Sequence, residues 1–383
     1  MRLGLYAHPF DLQALADHGG LDRLRGLGFA EIALATSYHD GRWLMPWHPD
    51  GVVRFLEDGT VHFRPAGDYG PLRPQPSREV PAVGPSPLER LCADAARHGL
   101  VVRAWTVFTH NSRLGERHPD RCVQNAFGDV YRYALCPAQP DVQQYIVAMV
   151  QDLAAHDGLG AIELEAIGQM GWKHSSHHDK ASFAPAGLLD AALSACFCSA
   201  CVAGLAALGH DPQPLRAAVR AFVQQQLRDG DAMAPAKVPA DEPGWLAPVL
   251  AARAGTAAAV AARVVAATTQ IARAVQVHPH PWFTGSQLAL AAAAAYPAPD
   301  ERVLTCYGDG PDAIARTLAA AGPAGSARIR VCIWPKAPQF TGDDDLHRLL
   351  DACAQHGVAS LAVYHLGLLP WRTIERVAKI LGR

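Results

Sequence analysis

The stretch that decides the fold is Gly160-Ala161-Ile162-Glu163-Leu164-Glu165-Ala166-Ile167. Side chains alternate along a strand, so Glu163 and Glu165 share one face and stand one layer apart. Ile162, Leu164 and Ile167 mark the opposite side as buried, and the two acids then line an interior or a cleft. A histidine-rich loop follows, Gly168 to Lys180, and beyond it lies Cys196-Phe197-Cys198-Ser199-Ala200-Cys201.

Working outward, strand-like and helix-like segments alternate along almost the whole chain, the pattern of parallel α/β architecture. Eight strands are expected: Leu3 to His8, Glu31 to Ser37, Val101 to Thr109, Ala161 to Ile167, Val275 to His280, Arg302 to Tyr307, Ala327 to Trp334 and Ser360 to His365. The expected fold class is therefore α/β, a (β/α)8 TIM barrel, with a doubly wound sheet as the alternative. The 383 residues suit one such domain, 1–383, with two additions. A Pro- and Gly-rich loop insertion spans 41–87, with a hairpin expected around Glu57-Asp58-Gly59-Thr60. A helical insertion spans 210–275, after a helix expected from Ala186 to Leu208.

Charge is balanced, with 34 Lys plus Arg against 36 Asp plus Glu. That gives no electrostatic case for nucleic acid or an anionic membrane as partner. Met1 to His8 reads as the first strand rather than a secretory leader, and the Ala-rich runs 247–274 and 288–295 are interrupted or too short for a membrane span. The nine cysteines include a cluster at metal-ligand spacing, which fits a reducing cytoplasm. The expected partner is a small-molecule or oligosaccharide substrate, with a homo-oligomer left open.

In a barrel the C-terminal strand ends share one mouth. That geometry nominates His8, His39, His110, Asn111, Trp172, His174, His178, His278, His280, Trp334 and His365 as substrate-binding residues, a set suited to a polyhydroxylated ligand. For any single histidine the plain alternative is a structural imidazole or a solvated loop residue. Glu165 is the first catalytic candidate, because a carboxyl among apolar residues has its pKa raised as a general acid requires. Its alternative role is an ion pair with Lys173, Lys180 or Arg103. Glu163, one layer deeper, would orient a ligand or neighbour. Asp309 after strand six is the nominated second carboxylate, although Gly308 and Gly310 describe a turn equally well.

Cys196, Cys198 and Cys201 place three thiols within six residues, and tetrahedral zinc takes a fourth ligand from Cys136 or Cys122. The alternative is cysteines packed as small hydrophobes. His174, His177, His178 and Asp179 also have metal-ligand character, against a sugar-contacting or loop-structuring role.

Two patterns carry a family resemblance over about residues 100 to 201. Cys136-Pro137-Ala138-Gln139-Pro140 with Cys196-Phe197-Cys198-Ser199-Ala200-Cys201 is similar to the zinc cluster of the glycoside hydrolase family 42 β-galactosidases, which implies a structural zinc with Cys136 as fourth ligand. His118-Pro119-Asp120, the segment from Leu135-Cys136-Pro137 to Tyr145, and Gly160 to Glu165 resemble the uncharacterised glycoside-hydrolase-like barrels, which implies Glu165 as the strand-four acid. The chain departs from the β-galactosidases in two places. Leu164 stands where they have Asn, and Val331-Cys332-Ile333-Trp334-Pro335-Lys336 offers no acid where their nucleophile ends strand seven.

The resulting expectation is a cytoplasmic glycoside-hydrolase-like enzyme using carboxylate acid/base catalysis. Its rivals are a metal-dependent sugar isomerase, epimerase or hydrolase, and a barrel that binds carbohydrate without cleaving it.

Overall fold

A computed structural model of the chain describes residues 1–49, 51–173, 180, 185, 187–230, 242–289, 292–293, 300–322 and 327–382. The eight expected strands are β1 (Arg2–Ala7), β2 (Glu31–Tyr38), β3 (Val101–Val107), β4 (Leu159–Glu165), β5 (Ala272–His278), β6 (Glu301–Cys306), β7 (Arg328–Ile333) and β8 (Ser360–Val363). Each pairs in parallel with the next, and β8 closes on β1 through Leu3↔Leu361 and Gly4↔Ala362. The sheet is a closed (β/α)8 barrel, which rules out the doubly wound alternative.

β5 begins three residues earlier than the sequence suggests. Ala272-Arg273-Ala274 reads as the tail of an Ala-rich helix, but that helix ends at Ala267, where Thr268 caps back to Val264 O at 2.7 Å. The freed chain pairs Ala272 with Ala161, and Pro279, lacking an N–H, follows the strand end at His278.

The segment expected as one helix from Ala186 to Leu208 is instead two, Leu188–Leu193 and Ser199–Ala207. Cys198 has extended backbone (φ −64°, ψ 166°), and Phe197 N–H bonds Gln124 O at 2.7 Å, so convergence of the thiols displaces helical hydrogen bonding. The first hairpin also lies elsewhere than expected. It pairs Gly41–Leu44 with Val53–Leu56. Asp58-Gly59 then turns the chain so that Thr60–Val61 adds antiparallel to β2. Gly59 has φ +60°, and a Cβ there would collide with the Asn111 side chain.

The main apolar core lies between barrel and helices, with Ile32, Val102, Ile162, Val275, Val331 and Leu361 facing outward from the strands. Helix Leu246–Ala267 buries Ala257, Val260, Ala261 and Val264 in that layer, beside helix Pro140–Ala154. By length and composition alone it is also apolar enough to cross a membrane. A satellite core joins Leu188, Leu189, Phe197, Val219, Val223 and Trp245 over the loops after β4.

The inward face of the barrel is charged at its lower end. Arg330 Nη1 bonds Glu31 at 2.5 Å, Arg103 bonds Glu301, and Ser360 Oγ bonds Glu301 at 3.2 Å. All four charged groups are buried, and Gly4 leaves the room that the Arg330 guanidinium fills.

Candidate functional site

Above that charged floor stand Glu163 and Glu165, held by neutral donors from three strands. Tyr6 on β1 donates its hydroxyl to Glu163 Oε1 and lies 2.9 Å from the Cys332 thiol. The Trp105 indole N–H on β3 bonds Glu165 Oε2 at 2.6 Å. The Gln276 amide on β5 reaches both acids, at 2.9 Å to Glu163 Oε1 and 3.3 Å to Glu165 Oε2. The nearest cation, Arg103, stands 3.7 Å from Glu163 Oε2. This geometry does not realise the alternative of an ion pair between Arg103 and Glu165.

Glu163 is sealed at 0 % exposure, whereas Glu165 retains 8 %. Burial raises the Glu165 pKa, and the nearby Glu163 charge adds to it; the Trp105, Ser286 and Gln276 donors pull the other way. Oε2 of Glu163, Oε1 of Gln276 and the Tyr307 hydroxyl are buried without a hydrogen-bond partner among the described residues. Aromatic rings wall this centre: Tyr6 to Trp105 at 4.9 Å between centroids, Tyr38 to Trp105 at 4.9 Å, Tyr307 to Tyr364 at 4.4 Å and Trp334 to Tyr364 at 5.3 Å. The Tyr38 and Tyr364 hydroxyls meet at 3.0 Å.

The backbone beyond Glu165 is held in place. Ala166 adopts φ +51°, a conformation a non-glycine residue keeps only when its surroundings enforce it. Its N–H bonds Ser286 O at 2.8 Å, and its carbonyl accepts from Thr109 N and Oγ1 at 2.9 and 2.6 Å. Gly171 N–H to Thr284 O, also 2.8 Å, ties the loops after β4 and β5 together.

The nominated residues distribute unevenly around this centre. His8 and His365 are buried beside it: His8 stacks on Phe10 at 4.1 Å and faces His62 at 4.4 Å, while His365 meets Trp43 at 4.7 Å and Trp105 at 6.1 Å. His39 stacks between Tyr38 and His110, at 4.3 and 4.4 Å. Asn111 caps a helix, its Oδ1 accepting from Leu114 N at 2.9 Å. Trp172 stands 6.4 Å from Tyr131, and His278 stacks on Phe283 at 3.8 Å with His280 exposed next to it. Trp334 carries the Lys336 ammonium 3.1 Å from its ring centroid. Asp309 sits in a turn, its N–H on Cys306 O at 3.3 Å, and its carboxylate makes no hydrogen bond or ion pair with a described residue. His174 and His178, with His177 and Asp179, lie outside the described residues.

Sequence reasoning missed Tyr6, Trp105, Gln276 and Ser286. The first three were within reach of it: Tyr6 and Gln276 precede His8 and His278 by two positions, and Trp105 precedes Val107 by two. Counting back along the inward register from each strand end finds them. Ser286 lies in a loop and carries no such signal.

The second centre is the four thiols. Cys136 Sγ lies 3.6, 3.9 and 3.7 Å from those of Cys201, Cys196 and Cys198, and all four sulfurs fall within 4.8 Å of one another. Zinc–thiolate bonds of about 2.3 Å set tetrahedron edges of about 3.8 Å, so the spacing fits a metal ion bound by four sulfurs. Of the two candidates for fourth ligand the structure selects Cys136. Cys122 turns its thiol to the Gly115 and His118 carbonyls, each at 3.6 Å. Gln124 N–H points at Cys196 Sγ at 3.4 Å. The half-buried Arg253 guanidinium lies beside the cluster and donates to Gln169 O and Phe283 O at 2.8 and 3.1 Å. Among the described residues this is the one group of His, Cys, Asp and Glu placed to hold a metal.

No model of a known protein family matches the sequence, and no curated protein matches it. Solved structures do match. The catalytic domain of a β-amylase from Paenibacillus polymyxa aligns with a TM-score of 0.56 at 11% identity, over 99% of this chain and 97% of that one. A β-galactosidase from the psychrophilic Marinomonas ef1 aligns with a TM-score of 0.53 at 12% identity, over 95% of this chain and 54% of that one. A D-psicose 3-epimerase aligns at 0.40 and 11% identity, over 95% of this chain and 84% of that one. The protein is thus a (β/α)8 barrel, the architecture it shares with the β-amylase domain and the β-galactosidase, and it carries a four-cysteine cluster able to hold a metal.

Proposed function

We propose that the protein is a carbohydrate-active enzyme of the glycoside-hydrolase-like kind, with Glu165 as general acid/base. The observation that carries this reading is the Glu165 carboxyl itself. It stands at the end of β4, nearly buried, fixed by the Trp105 indole, with its pKa raised by burial. Such a group holds its proton to higher pH than an exposed carboxyl and can pass it to a glycosidic oxygen as the C–O bond breaks, while water supplies the new oxygen to the sugar. Glu163, sealed and bonded by Tyr6 and Gln276, orients the centre one layer below Glu165. Asp309 is the candidate for the second carboxylate, on the turn after β6. Trp334, Tyr364 and the histidines at the strand ends shape the sugar site.

The rival with a catalytic metal ion draws no support from Glu165, Asp309, His278 and His280, which do not form a metal-ligating group among the described residues; the histidine loop it also invokes lies outside them. In the four-thiol site the ion is zinc, and its role is structural: four sulfurs leave no open coordination position. Elemental analysis tests this, with about one zinc per chain expected in the parent protein and none in Cys198→Ser. The enzymatic reading is tested with a panel of nitrophenyl glycosides. Turnover is expected in the parent and lost in Glu165→Gln, and a glycoside cleaved equally by both would remove Glu165 from the role.

A further inference from the structure

Past Trp334 the mouth of the barrel adjoins a cavity of about 390 Å³ between the loops after β7 and β8. That volume lies within the range of small-molecule sites, about 300–1,000 Å³. Phe340, Leu346 and Val377 give it an apolar wall, and Lys336, Arg372 and Arg376 reach it from the rim. The three cations are not equivalent. Arg376 Nε bonds Asp343 at 2.5 Å, which answers its charge, and Asp345 is engaged by Arg348 and Thr341. Lys336 rests on the Trp334 ring, and neither it nor Arg372 has a carboxylate partner among the described residues. Two unanswered cations on one ligand-sized cavity call for an anion.

We propose that this cavity is a subsite for a phosphate monoester carried by the sugar substrate, with Lys336 and Arg372 as its cationic ligands. The sugar half of the proposal rests on the carbohydrate reading above; the phosphate half does not. A guanidinium offers five N–H donors and an ammonium three, and Thr373 also lines the cavity. A phosphate monoester, with three free oxygens and a charge of about −1.5 to −2, uses that donor supply better than a singly charged carboxylate with two oxygens. The loops after strands seven and eight are also where barrel folds frequently seat phosphate groups. Trp334 links the two centres. It lines the cavity and lies 5.3 Å from Tyr364, one of the rings around Glu165. A sugar resting near Trp334 would therefore turn its phosphate to Lys336 and its ring to the acids.

Isothermal titration with glucose 6-phosphate, glucose, glucuronate and inorganic phosphate tests the proposal on the full chain. Glucose 6-phosphate is expected to bind the parent and Glu165→Gln alike, at least tenfold tighter than glucose or glucuronate, with inorganic phosphate competing. Arg372→Gln is expected to weaken it tenfold or more, and Lys336→Gln/Arg372→Gln to abolish it; both side chains are exposed, so the variants keep the fold. The proposal is overturned if neither phosphate compound binds the parent, if glucuronate binds as well as glucose 6-phosphate, or if the double variant binds like the parent. Phosphate binding that persists while Glu165→Gln leaves turnover intact would sink the acid/base role alone. Loss of phosphate binding with Glu165-dependent turnover intact would sink this subsite alone.

Discussion

The barrel holds acids at two levels, and they are treated in opposite ways. On the floor, Glu31 meets Arg330, and Glu301 meets Arg103. One layer up, Glu165 meets an indole, an amide and a hydroxyl, and no cation. The consequence is a split in acidity: Glu31 is held below its ordinary pKa by Arg330 and Arg103 despite burial, whereas Glu165 is raised by the same burial. A carboxylate paired with a guanidinium is locked in one protonation state; one held by neutral donors is poised to change state. The lower layer is therefore structural and the upper layer suits proton transfer.

The largest effect that sharpens this contrast is on activity. Glu165→Gln is expected to lower kcat by about 10²–10⁴-fold, the usual contribution of a positioned acid or base, with thermal stability little changed because a neutral amide of the same shape replaces the protonated carboxyl. Glu31→Gln is expected to do the reverse, sparing chemistry and costing stability. The floor is broken most clearly by Arg330→Met. Removing one partner of a buried ion pair leaves the other uncompensated, so a loss of about 3–5 kcal/mol is expected in urea unfolding. An Arg330→Met variant as stable as the parent would mean that the floor charges are not coupled.

The same contrast explains what could be read from sequence. The strands were legible because apolar residues facing the helices dominate the outward row of the strands, as Ile162 and Leu164 do on β4. Glu163 and Glu165 stood out against that row. The Arg330–Glu31 and Arg103–Glu301 pairs did not, because alternation gives the face an arginine occupies but not which of several acids it meets. Partner choice depends on register around the closed barrel, and on Gly4 leaving a space on the neighbouring strand. The thiols were legible by spacing within 196–201, but choosing Cys136 over Cys122 from the residues alone needed the three-dimensional path of the chain.

Two buried histidines, His62 after the Thr60–Val61 strand and His365 at the β8 end, give a smaller, pH-dependent signal. His62 is lowered to about 3 and His365 to about 4, both by burial. Above the ordinary histidine value of about 6.5 they are neutral in folded and unfolded chains, and contribute no pH dependence. Below it the unfolded chain takes up protons that the folded chain refuses, so stability falls as pH falls from about 6.5 toward 4, by at most about 1.4 kcal/mol per pH unit for each group. Urea unfolding at pH 7 and pH 5 measures this, and His62→Gln is expected to flatten the difference. A parent protein equally stable at both values would contradict the buried neutral pair.

The smallest expected effect is also the finest test of the upper layer. Trp105 donates to Glu165 at 2.6 Å and favours its charged form, opposing the burial that raises its pKa. Trp105→Phe keeps the ring in the wall and removes the donor. If neutral donors set the acidity of Glu165, its pKa moves further up, and the basic limb of the pH–kcat profile, where the acid loses its proton, shifts to higher pH by about half a unit to one unit, since one unit corresponds to about 1.4 kcal/mol and a hydrogen bond to a charged group contributes about 1.5–3 kcal/mol before water compensates. Water entering the gap would instead hydrate the carboxylate and move the limb down. The direction of that shift therefore decides whether the layer above the ion pairs is governed by its donors or by its dryness.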